Sequence, residues 1–159
     1  MLFRKFESVL PDNRGFTLAE MMAAVAVFAI LAAVAIPNYL AFQPGQRLNG
    51  GAREILAKLR WARAQAVEEN TNYVVSFPDN HTLRVFQDTD MDSTLDVGEW
   101  SEDIDLQLNY SDVTFTVTNA NPAVFNGRGT AGGTTTITVT NSSGSRQVEV
   151  TPTGNVRIN

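Results

Sequence analysis

The sequence predicts an α+β protein in which one long N-terminal helix precedes an antiparallel β-sheet domain. Three observations predict this fold. Residues 16–42 are strongly apolar, residues 43–70 carry apolar side chains at helical spacing, and residues 71–159 alternate short β-prone runs with turn residues. A helix with one apolar stripe packs well against one face of such a sheet. We therefore expect the stripe and the sheet to form one layered domain.

The apolar segment is long enough to cross a membrane as a helix. Phe16 to Ile36 covers 21 residues, which corresponds to about 31 Å at 1.5 Å per residue. Three basic residues precede the segment and none follows it closely, which predicts a cytoplasmic N-terminus. Glu20 lies inside the segment, where an ionised carboxylate costs about 2.5–3.5 kcal/mol unless it is paired.

Two ordinary interpretations of this segment stay open at this point. It could be a cleaved secretory signal with Ala33-Val34-Ala35 as the cleavage site, or it could be a plain signal anchor. The apolar stretch is longer than a usual signal core. Neither interpretation accounts for the charge of Glu20.

Helical spacing continues after the apolar segment, with an expected interruption. Pro37 and the pair Pro44-Gly45 predict a kink or local unwinding within residues 37–50. Beyond them one apolar stripe recurs at spacings of three and four residues, and Asn70 is the expected end of the helix. The stripe consists of Leu48, Ala52, Ile55, Leu56, Leu59, Ala62, Ala66 and Val67.

The remaining residues predict short antiparallel strands. Pro78-Asp79-Asn80-His81 has the composition of a turn and joins the first two strands. The expected strands are residues 72–77, 82–87, 104–109, 113–117, 123–125, 134–140, 146–151 and 156–158.

Composition narrows the classes of function. The chain has no cysteine, so it has no disulfide bonds, thiolate metal sites or cysteine nucleophiles. His81 is the single histidine and lies in a turn, so catalytic triads and histidine metal sites lack parts. The net charge of −5 makes the protein a poor binder of bulk polyanions. We therefore expect no enzymatic activity.

The residues around position 15 resemble the type III signal of type IV pilins and pseudopilins. The run Arg14-Gly15-Phe16-Thr17-Leu18-Ala19-Glu20 has a basic leader ending in Gly, an apolar first mature residue and Glu at the fifth mature position. The resemblance implies the pilin fold, with a leader peptide at 1–15, a transmembrane half-helix at 16–42 and a periplasmic domain at 43–159. It also implies that a prepilin peptidase cuts between Gly15 and Phe16 and that Phe16 is then N-methylated.

The same resemblance gives Glu20 a partner. Cleavage creates an ammonium on Phe16, and in a filament core Glu20 of one subunit can pair with that ammonium of a neighbour, so that two costly charges offset one another. Pro37 matches a proline that is common in the pilin helix, where assembly melts a segment. The expected partners are other pilin or pseudopilin subunits, the prepilin peptidase and the bacterial inner membrane.

Three further stretches resemble the FimT/GspH-type group of minor pilins and minor pseudopilins. They are residues 59–77, residues 125–129 and residues 153–158. The resemblance implies a structural, minor subunit of a type IV pilus or of a type II secretion pseudopilus. Some FimT-type pilins bind DNA through a C-terminal Gly-Arg-x-Arg motif. Here Gly154 and Arg157 match it but Asn155 replaces the first arginine, and with the acidic balance DNA is a disfavoured partner.

An acidic motif is independent of the pilin resemblance. Residues 88–99 place Asp88, Asp90, Asp92, Asp96 and Glu99 at positions 1, 3, 5, 9 and 12 of an EF-hand-type loop, and the carbonyl of Thr94 at position 7. The sequence therefore predicts a candidate calcium site. Position 6 is Ser93 in place of the usual glycine, and the loop follows a strand, so a solvated acidic turn is the alternative.

Two other functions stay open beside the structural subunit. The β domain could be a binding module at a pilus tip that captures DNA or a secreted substrate. Alternatively the chain could be an anchored periplasmic domain that never polymerises. Only an assembling subunit needs Glu20, so replacing Glu20 separates this last possibility from the others.

Overall fold

The computed structural model describes residues 15–119 and 122–159, so most of the leader lies outside the described residues. Within the description the chain divides into two units, with the boundary between Tyr39 and Leu40. The first unit contains the N-terminal part of a long helix. The second unit contains the rest of that helix and every strand.

The helix α1 runs without interruption from Leu18 to Glu69. The local unwinding expected within residues 37–50 is therefore absent, and this part of the prediction was wrong. Each proline removes only one backbone hydrogen bond of the helix. Around the second proline, Pro44, the helix also makes contacts to the sheets. The amide of Asn141 donates to the Pro44 carbonyl at 2.7 Å, and Arg47 lies 3.4 Å from Asp112.

The helix ends at the predicted position. Asn70 takes a positive φ of 52°, which is the left-handed conformation that asparagine tolerates at a helix terminus. The Thr71 N–H then donates to the Ala66 carbonyl at 3.2 Å. This is the Schellman arrangement, and it turns the chain directly into the first strand.

Two four-stranded antiparallel sheets follow the helix. The first has the order β3-β2-β1-β5 and the second has the order β4-β6-β7-β8. The strands are β1 Asn72–Ser76, β2 Thr82–Asp88, β3 Ser101–Asp105, β4 Thr114–Asn119, β5 Ala123–Phe125, β6 Thr135–Asn141, β7 Gly144–Val150 and β8 Val156–Ile158.

The α+β fold with antiparallel strands is confirmed, and one strand differs from its predicted position. Residues 104–109 were expected as a strand, but β3 ends at Asp105 and Leu106–Leu108 form a short 3₁₀ helix. The strand begins in the acidic run at Ser101 because its carboxylates find basic partners. Glu102 accepts from Lys58 at 2.8 Å, and Asp103 accepts from Arg84 at 2.6 Å.

The core lies between the second part of the helix and the two sheets. Leu48, Ala52, Ile55, Leu59, Ala62 and Ala66 are buried on the helix, at the predicted spacings. They contact alternate residues of the strands, such as Leu83, Val85, Ile137 and Val148. Val67 was assigned to the stripe but is 50% exposed. It belongs to a groove described below.

Candidate functional site

The first candidate site is the start of the helix. Thr17 and Glu20 form a reciprocal cap: the Thr17 N–H donates to Glu20 Oε2 at 2.8 Å, and the Glu20 N–H donates to Thr17 Oγ1 at 3.2 Å. This is a capping box, which satisfies two N–H groups that the first helical turn would otherwise leave unpaired. The predicted processing residues Gly15 and Phe16 directly precede it.

The capping role of Glu20 was missed from the sequence, although its signal was present. Thr17-Leu18-Ala19-Glu20 is the Thr-x-x-Glu pattern that precedes an apolar run. Glu20 therefore has a local role in the isolated chain, in addition to the predicted pairing with the neighbouring ammonium. A test of that pairing must keep the cap intact.

The apolar side chains after the cap have no partner among the described residues. Phe16 is 85% exposed, and large apolar side chains up to Phe42 are mostly exposed as well. By length and composition this part of the helix can cross a membrane. Pro37 lies within the same exposed stretch. So much apolar surface needs a lipid or protein environment.

The second candidate site is the acidic loop, residues 88–99, which joins β2 to β3. Carboxylate oxygens of Asp88, Asp90 and Glu99 lie within 4.8 Å of one another, and so do those of Asp90, Asp92 and Asp96. The structure thus brings together all five carboxylates that the sequence predicted. Thr94 lies in the same loop, and its N–H and hydroxyl both donate to Asp92 Oδ1.

Backbone donors shape the acidic loop around these carboxylates. Asp88 is fully buried and accepts from the N–H groups of Asp92 and Ser93, both at 3.2 Å. Glu99, at the other end of the loop, accepts from the N–H groups of Thr89 and Asp96. The two ends of the loop are therefore joined through side chains.

Loop position 6 makes a sharp turn although it lacks the usual glycine. Ser93 takes a φ of 64°, the left-handed conformation for which EF-hand-type loops use glycine. This conformation costs a residue with a Cβ about 1 kcal/mol or more. Serine at this position therefore keeps the turn with some strain.

Like charges dominate the electrostatics of the loop. The negative charge of Asp92 raises the pKa of Asp96, and burial and the charges of Asp90 and Glu99 add to this effect. In contrast, hydrogen bonds from Thr94 lower the pKa of Asp92, and hydrogen bonds from the Thr89 and Asp96 backbone lower the pKa of Glu99. The loop thus holds several ionised carboxylates close together with no ion pair to Lys or Arg among the described residues.

An aromatic cluster anchors the end of the acidic loop on the helix. Trp100 directly follows Glu99, and its ring centroid lies 5.3 Å from Trp61 and 6.4 Å from Tyr73. Burial, together with a hydrogen bond to Glu69, raises the pKa of Tyr73 to about 12, so its hydroxyl stays protonated and donates to Glu69 at 2.9 Å. The loop is thereby coupled to the helix through ring packing.

The partial Gly-Arg-x-Arg motif at Gly154 and Arg157 makes contacts within the chain. Arg157 lies on β8 and donates two hydrogen bonds to Glu149 on β7, at 3.0 and 2.8 Å. Gly154 has a φ of 77°, and a Cβ there would overlap the Gly129 carbonyl oxygen. The two residues thus have structural contacts of their own, and the charge of Arg157 is offset by Glu149.

Comparison with known proteins identifies both parts of the chain. A family model described as type II transport protein GspH matches residues 51–154, and a model of the prokaryotic N-terminal methylation motif matches residues 10–36. The chain belongs to the GspH family. The methylation motif places this GspH-family protein in the type IV pilin superfamily and covers the predicted cleavage site, Gly15 and Phe16, and Glu20.

A sequence relative and two solved structures agree with this assignment. The type IV major pilin PilA of Myxococcus xanthus (strain DK1622) is 43% identical over 63 residues, which are 40% of this chain and 28% of that pilin's length. The minor pilin FimU of Pseudomonas aeruginosa (strain PAO1) aligns with a TM-score of 0.59 at 16% identity, covering 74% of this GspH-family chain and 92% of FimU. The minor pseudopilin EpsH from the type 2 secretion system of Vibrio cholerae aligns with a TM-score of 0.56 at 12% identity. The alignment covers 71% of this chain and 96% of EpsH. The two structures establish the pilin-like fold.

Proposed function

We propose that this protein is a structural, non-enzymatic subunit, a minor one, of a type IV pilus or of a type II secretion pseudopilus. One observation carries the proposal. The match to the N-terminal methylation motif coincides with the part of the helix whose apolar side chains are exposed. An apolar helix with no intramolecular partner is suited first to the membrane and then to a filament core.

Maturation prepares the helix for assembly in this proposal. The chain inserts once into the inner membrane, with a cytoplasmic N-terminus and a periplasmic domain formed by residues 43–159. A prepilin peptidase cuts between Gly15 and Phe16, and Phe16 is N-methylated. The new ammonium lies close to the helix start, where Glu20 supplies the opposite charge.

Pairing between subunits then fixes the register of neighbouring helices. A carboxylate inside the membrane costs about 2.5–3.5 kcal/mol when it is unpaired. The local cap uses only Glu20 Oε2 in the described residues, so the carboxylate keeps acceptor capacity for a neighbour's ammonium. Pro37, in the exposed stretch, is the proposed point at which the helix melts during assembly.

Processing is tested by changing the residue before the cut. We expect Gly15→Glu to block cleavage, because a peptidase that reads this position needs its smallest side chain there. Mass spectrometry of the membrane fraction should find residues 1–15 retained in the variant, and a methylated Phe16 as the first residue of the unmodified chain. An unmodified chain that begins at Ile36 would instead establish an ordinary signal peptide.

As a second candidate function, we propose that the acidic loop binds calcium. Asp88, Asp90, Asp92, Asp96 and Glu99 are the proposed side-chain ligands, with the carbonyl of Thr94. The supporting observation is that the fold gathers all five carboxylates, with Asp90 shared between the two groups of three. Calcium takes six to eight oxygen ligands in a flexible shell, so a set of this size suits it better than magnesium.

Calcium binding is tested by the thermal stability of the full chain in detergent micelles. Binding to the folded state alone stabilises by about 2.7 kcal/mol at a hundredfold excess over Kd. We therefore expect a melting temperature several degrees higher in millimolar calcium than in chelator. Magnesium should give much less, Asp90→Ala should abolish the difference, and Asp103→Ala, outside the loop, should keep it. Equal melting temperatures and no calorimetric heat would leave the loop as a solvated turn.

A further inference from the structure

A groove of about 760 Å³ lies beside the C-terminal part of the helix, and neither the helix packing nor the acidic loop accounts for it. Its walls come from the helix, from the turn at Arg128 and Gly129, from Asn155, and from Val156 at the start of β8. Arg60, Arg63 and Arg128 contribute three guanidinium groups. Ala64, Val67 and Val156 give it an apolar floor. We call this surface the arginine groove.

Two of the three arginines are held in place by backbone carbonyls. Arg60 donates from Nη2 to the Val156 carbonyl at 3.0 Å, and Arg63 donates from Nε to the Gly129 carbonyl at 2.8 Å. Each therefore keeps further N–H groups for another acceptor. Because a neutral carbonyl does not offset a positive charge, both guanidinium groups remain electrostatically unpaired.

Arg128 is exposed, and its side chain makes no hydrogen bond or ion pair within residues 15–119 and 122–159. No carboxylate of the same residues forms an ion pair with any of the three arginines. In a chain of net charge −5, three unpaired guanidinium groups around one groove favour an anionic ligand. Planar guanidinium groups match carboxylates and phosphates especially well.

The surroundings of the groove favour separate carboxylates over a continuous polyanion. Glu68 lies in its wall, so a nucleic-acid backbone would meet a negative charge there. Arg128 also borders a second groove, which Met91 of the acidic loop lines. The acidic loop therefore lies beside Arg128 and limits the positive surface to the groove itself, which suits a short charged segment and not a continuous polymer. A protein segment with a few carboxylates and some apolar side chains fits the groove better.

The acidic loop has this chemistry. Apolar side chains stand between its carboxylates, and they are unusually exposed: Met91 is 66% exposed, Leu95 is 37% exposed and Val97 is fully exposed. We propose that the arginine groove binds the acidic loop of a second copy of this chain. The guanidinium groups contact the carboxylates, and the exposed apolar residues cover the apolar floor. One bound calcium would offset two of the five charges and leave the loop negative.

This inference rests on the proposed function, because it adds a contact between periplasmic domains to the contact between helices. The absence of cysteine from the chain allows a direct test. Two differently tagged full chains, one with Ala64→Cys in the groove and one with Val97→Cys in the loop, are mixed in detergent micelles with chelator and oxidised. We expect a disulfide-linked mixed dimer that decreases with added salt.

Charge changes decide whether the groove makes the contact. Arg128→Glu on the groove copy should lower cross-linking about threefold to tenfold, and Asp96→Lys on the loop copy should restore part of it. Arg146→Glu is the matched control, because Arg146 is exposed, lies on β7 and does not line the groove. Ser142→Cys in place of Val97→Cys is the control for random collision. The inference is overturned if Arg128→Glu leaves the cross-linking yield unchanged, or if the Val97→Cys yield equals that of the Ser142→Cys control.

Two further outcomes are informative. If duplex DNA binds the full chain in an Arg128-dependent way and abolishes the cross-link, the groove serves a nucleic acid and the inference is wrong. If the cross-link fails while the chain still co-purifies with other pilins through Glu20, the inference fails and the proposed function stands. A chain that neither cross-links nor co-purifies overturns both.

Discussion

The two parts of the helix differ in where their apolar side chains find partners. From Leu48 to Ala66 the apolar stripe is buried against two sheets, and Ile55 and Leu59 have no exposed surface. From Phe16 to Phe42 the apolar side chains are exposed. One helix thus carries two kinds of hydrophobic surface. The first folds the domain, and the second requires a membrane or another subunit, which is the physical requirement for a subunit that is stored in a bilayer and later polymerised.

The largest expected effect separates these two surfaces. Leu59→Ala should destabilise the folded domain by about 2–5 kcal/mol, because it removes buried atoms and leaves a cavity. Leu31→Ala removes the same atoms from a side chain that is 60% exposed, and it should leave domain stability unchanged. Thermal unfolding in micelles, followed by tryptophan fluorescence, should show a fall of at least about 6 °C for the first variant only. Equal shifts would mean that the N-terminal part also packs on the domain.

A smaller effect should be confined to the start of the helix. Thr17→Ala removes the capping hydroxyl, which costs about 0.5–2 kcal/mol of helix stability. Hydrogen exchange of the amides of residues 18–21 should become faster, while the melting temperature of the domain stays constant. Glu20→Gln is the control, since glutamine keeps the capping box. Faster exchange in that variant would show that the charge, and not the hydrogen bond, holds the cap.

The smallest effect concerns surface charges in the folded domain. Hydrogen bonds from Arg84 lower the pKa of Asp103. The pair therefore stabilises the fold fully at pH values above the usual pKa of an aspartate, and this stabilisation is lost as the pH falls through the lowered pKa. Both side chains are exposed, so the contribution should stay below about 1 kcal/mol. Arg84→Met should therefore lower the melting temperature by a few degrees at most at pH 7. A larger change, or one that persists in strong acid, would contradict this assignment.

The sequence predicted most of what depends on local spacing. The buried stripe followed from its three- and four-residue repeat, Asn70 from its tolerance of positive φ, and the acidic loop from alternating carboxylates. Prediction from the sequence failed where contacts to distant residues determine the local structure. Strand β3 forms in an acidic run because Lys58 and Arg84 supply the opposite charges. The helix continues through Pro44, where the amide of the distant Asn141 donates to the Pro44 carbonyl.

The arginine groove could not be predicted for the same reason. Arg60 and Arg63 lie on the helix, whereas Arg128 lies more than sixty residues later in a turn. Their proximity follows from the packing of helix and sheets, which no local pattern encodes. From the sequence, only Arg157 was considered as an arginine that contacts a ligand, and its guanidinium donates to Glu149.

In the proposed function, Glu20 serves assembly through its charge. The variant that tests it most directly is Glu20→Gln, because glutamine keeps the helix cap while it removes the charge. Its incorporation is measured by pull-down with the other pilin subunits, with leader cleavage and domain melting as controls. We predict normal insertion, cleavage and melting but at least about tenfold lower recovery of partner subunits, since the neighbour's ammonium loses its counter-charge. Recovery at the level of the unmodified chain would contradict this role of Glu20.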